Sequence, residues 1–170
     1  VSALQVGVTF ADASSAVAGA DLVVLAVPVG AMGTAAATFA SALKPGAIVT
    51  DTGSVKGAVI AAVQKLLPAH AFLVPGHPIA GTEHSGPDAG FSTLFKGRWH
   101  ILTPLPDQGA GYSAAVDRVE AFWRAIGAEV LRSVSPSQMV VKIVHDALVD
   151  MLGAAGEASL ELATAPPAPI

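Results

Sequence analysis

The sequence has no cysteine among its 170 residues, which excludes disulfides, thiolate metal sites and a cysteine nucleophile. Charge is scarce too: Asp, Glu, Lys and Arg make up 13% of the chain, against 52% hydrophobic residues and a mean hydropathy of +0.60. A surface this thin in charge predicts that some apolar area meets another chain or a further part of the same protein. The formal net charge of -4 and pI near 5.6 leave no excess of cations for nucleic acid or an anionic membrane. The opening VSALQVGVTFADASS lacks a basic stretch followed by an apolar run, so no secretory signal is expected. It also lacks an initiator Met, which reads as a chain from which something upstream has been removed. A cytoplasmic setting is the expectation. The uncharged span 22–43 is long enough for a bilayer, but Pro28, Gly30 and Gly33 interrupt it, and strand, turn and helix is the better reading.

What is present is an alternation of two periodicities. DLVVLAVP (21–28), AIVTDTGS (47–54), AFLVPG (71–76), WHILTPL (99–105) and AEVLRSV (128–134) are short, β-branched and apolar, as strands buried on both faces are. Between them, 31–44, 55–67 and 112–127 read as helices closed by Pro or Gly. In the second of these Val55, Val59, Ala62, Val63 and Leu66 fall on one face. This order predicts a Rossmann-like α/β fold: a parallel sheet with helices on both faces. Residues 1–135 form this domain, 136–163 one long helix with a broad apolar stripe suited to a homodimer or a helical dimerisation domain, and 164–170 a Pro-rich tail.

In such a sheet ligands bind beyond the carboxyl ends of the strands, where three segments fall together: VPVGAMG, DTGSVKG and PGHPIAGTEHSG. The first two hold Val27, Pro28, Thr52, Gly53 and Ser54. Ser54 is either a plain helix N-cap or part of a site whose free amides take an anion or carboxamide. The third segment, 75–86, is expected to be a loop because of its prolines and glycines, and offers His77, Thr82, Glu83, His84 and Ser85. His77, constrained between Gly76 and Pro78, is suited to accept a proton near neutral pH. His77 and His84 match no helical metal-ligand spacing, so no metal is expected. A Ser54–His77–Asp51 triad can be written, but the sequence has no GxSxG elbow.

In this order and spacing DLVVLAVPVG, KPGAIVTDTGSVKG, VPGHPIAGTEHSGP and FKGRWHILTP resemble the nucleotide-binding domain of prephenate and arogenate dehydrogenases, over about residues 21–132. Enzymes of that family oxidise prephenate or arogenate with NAD or NADP, and loss of carbon dioxide aromatises the ring towards tyrosine. The resemblance implies that His77 matches the catalytic histidine that takes the ring hydroxyl's proton, with Ser54 supporting it. Thr82 and Glu83 would face the substrate's carboxylate end. Val27 and Pro28, with Thr52 and Gly53, would line the dinucleotide.

Two departures stand out. Nothing before residue 21 supplies the strand and GxGxxG turn with which the family opens, so the first βαβ is expected to be missing. The one GxGxxA match, 109–114, follows a Pro-bearing loop, with Glu129 misplaced for a ribose ligand, and reads as an ordinary turn. Only one helix of the family's helical domain remains, and there Lys142 and Asp146 have the spacing of a β-hydroxyacid dehydrogenase pair or of a plain i, i+4 ion pair. A β-hydroxyacid-type enzyme and a non-catalytic dimerisation module are the alternative readings.

Overall fold

The computed structural model describes residues 10–81 and 90–133. Its elements are α1 (Ala13–Val17), β1 (Leu22–Leu25), α2 (Val29–Phe39), β2 (Ile48–Asp51), α3 (Lys56–Val63), β3 (Phe72–Leu73), β4 (Gly76–Pro78), β5 (Trp99–Leu102), α4 (Tyr112–Ala125) and β6 (Glu129–Arg132). The span 22–43 resolves into strand, turn and helix, and no helix among the described residues is long and apolar enough to cross a membrane. Helix α1 has a sequence signal in Asp12, whose carboxylate accepts the Ser15 amide at 2.8 Å as an N-cap.

The strands form two three-stranded sheets, β1-β2-β3 and β4-β5-β6. The first is parallel throughout, with Leu22 opposite Ile48 and Ile48 opposite Phe72. In the second, β5 and β6 are parallel, but β4 and β5 are antiparallel, with His77 opposite Ile101. The expectation of a wholly parallel arrangement is corrected at this one ladder. Parallel neighbours need a crossover back along the sheet, usually a helix; the sequence between Pro78 and Trp99 holds no apolar helical period.

The chain passes from one sheet to the other within two residues. The Val74 amide still donates to the Val49 carbonyl at 2.9 Å, while the Pro75 carbonyl already accepts from the Thr103 amide at 2.8 Å. Segment 75–86 is therefore not a loop from its start, since Gly76–Pro78 is a strand. Pro78 is tolerated because the adjacent hydrogen-bonded position is Ile79, whose amide donates to the Trp99 carbonyl at 2.7 Å; alternation along an antiparallel ladder turns the proline nitrogen away from β5.

Alternation along the strands sorts the core onto two faces. Leu25, Val49 and Leu73 pack with Val17, Met32, Phe39, Val59 and Val63 of α1 to α3. Ile48, Val74 and Leu102 pack with Val116, Val119 and Trp123 of α4 on the other side. Tyr112, Ala115, Val116, Val119 and Trp123 are the buried stripe of α4, at the spacing of one helical face. Strand β1 has a paired neighbour, β2, on one side only among the described residues.

Candidate functional site

The site is built on the turn that joins β2 to α3. Val55, not Ser54, occupies the N-cap position of α3 and makes no capping hydrogen bond. This corrects two expectations. Val55 lies outside the buried helical face and is 57% exposed, because its backbone has not yet entered the helix. Ser54 does not cap the helix; it is exposed, and its hydroxyl has no partner among the described residues.

Asp51 closes the turn from beneath. Its carboxylate is fully buried and accepts from the Gly53 amide at 3.0 Å and from the Gly76 amide at 3.2 Å. Lys56, the first residue of α3, is equally buried and donates both to the Asp51 carboxylate and to the Gly76 carbonyl. Burial draws the ammonium below the usual lysine pKa, while the Asp51 charge and hydrogen bond pull it back up. The turn packs closely on its neighbours: a Cβ on Gly53 would lie 3.0 Å from methyls of both Val29 and Val59, which would have to give way.

His77 leaves β4 beside this turn, half-buried, with Nδ1 3.1 Å from the Thr52 carbonyl. A carbonyl can only accept, so Nδ1 carries the proton and Nε2 is the unprotonated nitrogen. Burial is the main cause that lowers the His77 pKa; the Thr52 carbonyl opposes it, Lys56 adds to it, and Asp51 opposes it in turn. The result is a neutral imidazole whose Nε2 has no hydrogen-bond partner among the described residues. The Ser54–His77–Asp51 triad does not form, since Asp51 is engaged by Lys56 and two amides and His77 orients on Thr52 instead.

Val27 and Pro28 are exposed at the end of β1, and the adjoining strand is tied in by the Thr52 amide, which donates to the Leu25 carbonyl at 3.2 Å. Val27 and Pro28 thus follow β1, and Thr52, Gly53 and Ser54 follow the parallel β2, while His77, in the middle of β4, joins them through its bond to the Thr52 carbonyl. Thr82 and Glu83, with His84, Ser85, Lys142, Asp146, the 136–163 helix and the tail, lie outside the described residues. The 109–114 turn is at the other edge, because β5 runs against β4: a Cβ on Gly111 would meet the Phe72 ring at 3.3 Å, at the start of β3.

Two residues of the site were not singled out from sequence. Lys56 is three and seven residues before Val59 and Val63, on the same buried face, which was the available signal. His100 shares a face of β5 with Leu102 and is fully buried, its ring stacked on Trp123 at 3.8 Å and 16°. Neither of its nitrogens has a partner among the described residues, and burial first, then the nearness of Lys56 and His77, lowers its pKa to about 3.

His100 makes two measurable predictions. Its folded form stays neutral while the unfolded chain takes up a proton below about 6.5, so stability present above that pH falls as pH drops towards 3. Denaturation midpoints measured against pH should show this slope, and His100→Leu should flatten it. Gly76 is the second consequence: a Cβ there would lie 2.3 Å from His100 Nε2 and 3.1 Å from Leu102 Cδ2. His100 is held against Trp123, so Gly76→Ala is expected to cost about 1–3 kcal/mol in denaturant titration, as overpacked cores do.

Residues 1–132 match the family model described as prephenate dehydrogenase, nucleotide-binding domain. The chain belongs to this family. Within the prephenate dehydrogenase family, the chain is 49% identical over 122 residues to the cyclohexadienyl dehydrogenase of Zymomonas mobilis, covering 70% of this chain and 39% of that protein. Prephenate dehydrogenase from Aquifex aeolicus superposes with a TM-score of 0.58 at 31% identity, over 80% of this chain and 51% of that one. Its complex with hydroxyphenyl propionate and NAD+ gives a TM-score of 0.61 at 28% identity, over 86% and 57%. The chain therefore spans between about two fifths and three fifths of the length of these relatives.

Proposed function

We propose that this chain is the nucleotide-binding part of an enzyme that oxidises prephenate or arogenate with NAD or NADP, with decarboxylation to the aromatic ring, and that His77 is the base. The observation that carries the proposal is the His77–Thr52 bond: it leaves a neutral imidazole whose Nε2 can take the hydroxyl proton of a ring carbinol. Ser54, two residues beyond Thr52 and exposed, would hydrogen-bond the same substrate oxygen. Thr82 and Glu83 complete the proposal at the substrate's carboxylate end.

The same edge would take the dinucleotide. Val27 and Pro28, both exposed, would offer it apolar contact, with Thr52 and Gly53 forming the floor beside them. When bound, a nicotinamide supplies the hydride acceptor. The chain's own residues orient the substrate hydroxyl, remove its proton at Nε2 and shield the base from beneath with a closed, buried turn. A homodimer in the cytoplasm belongs to the same reading, and sedimentation tests its assembly.

The test is formation of reduced nicotinamide, followed by its near-ultraviolet absorbance, with each substrate and each dinucleotide, alongside a dinucleotide titration. Reduction with prephenate or arogenate supports the reading. Absence of both reduction and dinucleotide binding overturns it.

A further inference from the structure

We propose that the buried Asp51–Lys56 pair is a positioning clamp that holds His77 in the tautomer leaving Nε2 free. It rests on the reading of His77 as the base.

The clamp is defined by where its bonds end. Gly76, immediately before His77, has its amide on Asp51 and its carbonyl on Lys56. Thr52, whose carbonyl receives His77 Nδ1, immediately follows Asp51. One end of the His77–Thr52 bond thus adjoins Asp51 itself, and the other adjoins Gly76, which the pair holds by both its amide and its carbonyl. The Gly53 amide closes the other side of the turn onto the same carboxylate.

Stability alone is a weak reason for such a pair, because two buried charges lose hydration and a well-packed apolar pair of similar volume often serves as well. An apolar pair cannot supply direction. It could not bind the amide and the carbonyl of one residue simultaneously, nor tie that residue to the turn carrying the acceptor for His77. Among the described residues the titratable groups acting on His77 are Asp51 from β2, Lys56 from α3 and His100 from β5. His100 is neutral at ordinary pH, so the charge felt by His77 is that of the clamp.

The experiment is long-range nitrogen–proton correlation NMR of the histidine rings in the 170-residue chain, with the His77 signals assigned by their loss in His77→Gln. The unaltered chain is expected to show a neutral His77 with its proton on Nδ1; a proton on Nε2 overturns the proposal outright. In Asp51→Asn/Lys56→Met, which removes both charges and keeps the volume, the Nδ1–H form should give way in part to Nε2–H and the titration midpoint should move. A folded double variant whose ring keeps its tautomer and midpoint overturns it. Should that variant fail to fold, Lys56→Arg decides in its place: its planar, bulkier head keeps the cation but not the geometry, so the tautomer mixture must shift there too. These spectra involve neither dinucleotide nor substrate. A chain that binds no cofactor defeats the proposed reaction, while the clamp stands or falls on the His77 ring.

Discussion

Replacing His77 by glutamine should lower turnover of prephenate or arogenate by about 10²–10⁴-fold, the usual contribution of a positioned general base, and leave dinucleotide affinity unchanged. Glutamine keeps a donor for the Thr52 carbonyl and approximately the volume of the ring. What it lacks is a nitrogen able to accept a proton. The loss therefore reports the chemical step and not the packing of β4.

The pH profile should carry the same information. As the proposed base, His77 would act unprotonated, and its pKa is lowered, chiefly by burial, so the acid limb of kcat/KM should lie below the ordinary histidine value of 6.5. Activity rises with pH through that depressed value and is level above it. Steady-state kinetics of the two proteins across pH decide the matter. A His77→Gln protein with wild-type turnover would remove His77 from the chemistry.

The largest expected effect on stability belongs to Lys56. Lys56→Met leaves the Asp51 carboxylate buried without its cation, and single removals of this type cost about 3–5 kcal/mol. Against a typical domain stability of about 5–15 kcal/mol this approaches unfolding. Asp51→Asn should be costly for the converse reason. The double variant should regain most of the loss, because replacing both charges with neutral groups leaves neither one orphaned. Urea titration of the four proteins closes the cycle; a single variant within about 1 kcal/mol of wild type would mean that the pair behaves as a solvated surface contact.

The alternation of apolar strands and amphipathic helices was legible because each element has its own period, and both faces of the sheet follow from it. The antiparallel β4–β5 ladder was obscured by Pro78. A proline normally argues against a paired strand, and only the register shows that its missing donor points away from β5. Likewise DTGSVKG and GHPIAG could be brought to one sheet edge by topology, and His77 could be selected by its chemistry. Its partner could not, because Thr52 acts through its backbone carbonyl, which no side-chain pattern encodes. Lys56 was hidden for another reason: a lysine at the start of a helix reads as solvated until Asp51 and the Gly76 carbonyl are seen to receive it. Ser54 shows the reverse error, since a serine before a helix suggests a cap and here the cap position has moved on to Val55.

That β1 is paired on one side only among the described residues bears on how this polypeptide behaves at high concentration. LVVL offers an apolar ribbon whose outer main-chain groups can template another strand, the usual seed of aggregation. Asp21, directly before the ribbon and bridged to Lys44 at 2.8 Å, places a charged gatekeeper at its entrance. Colloidal behaviour should accordingly be more sensitive to salt and to acid at this small ion pair than the chain's low overall charge would suggest.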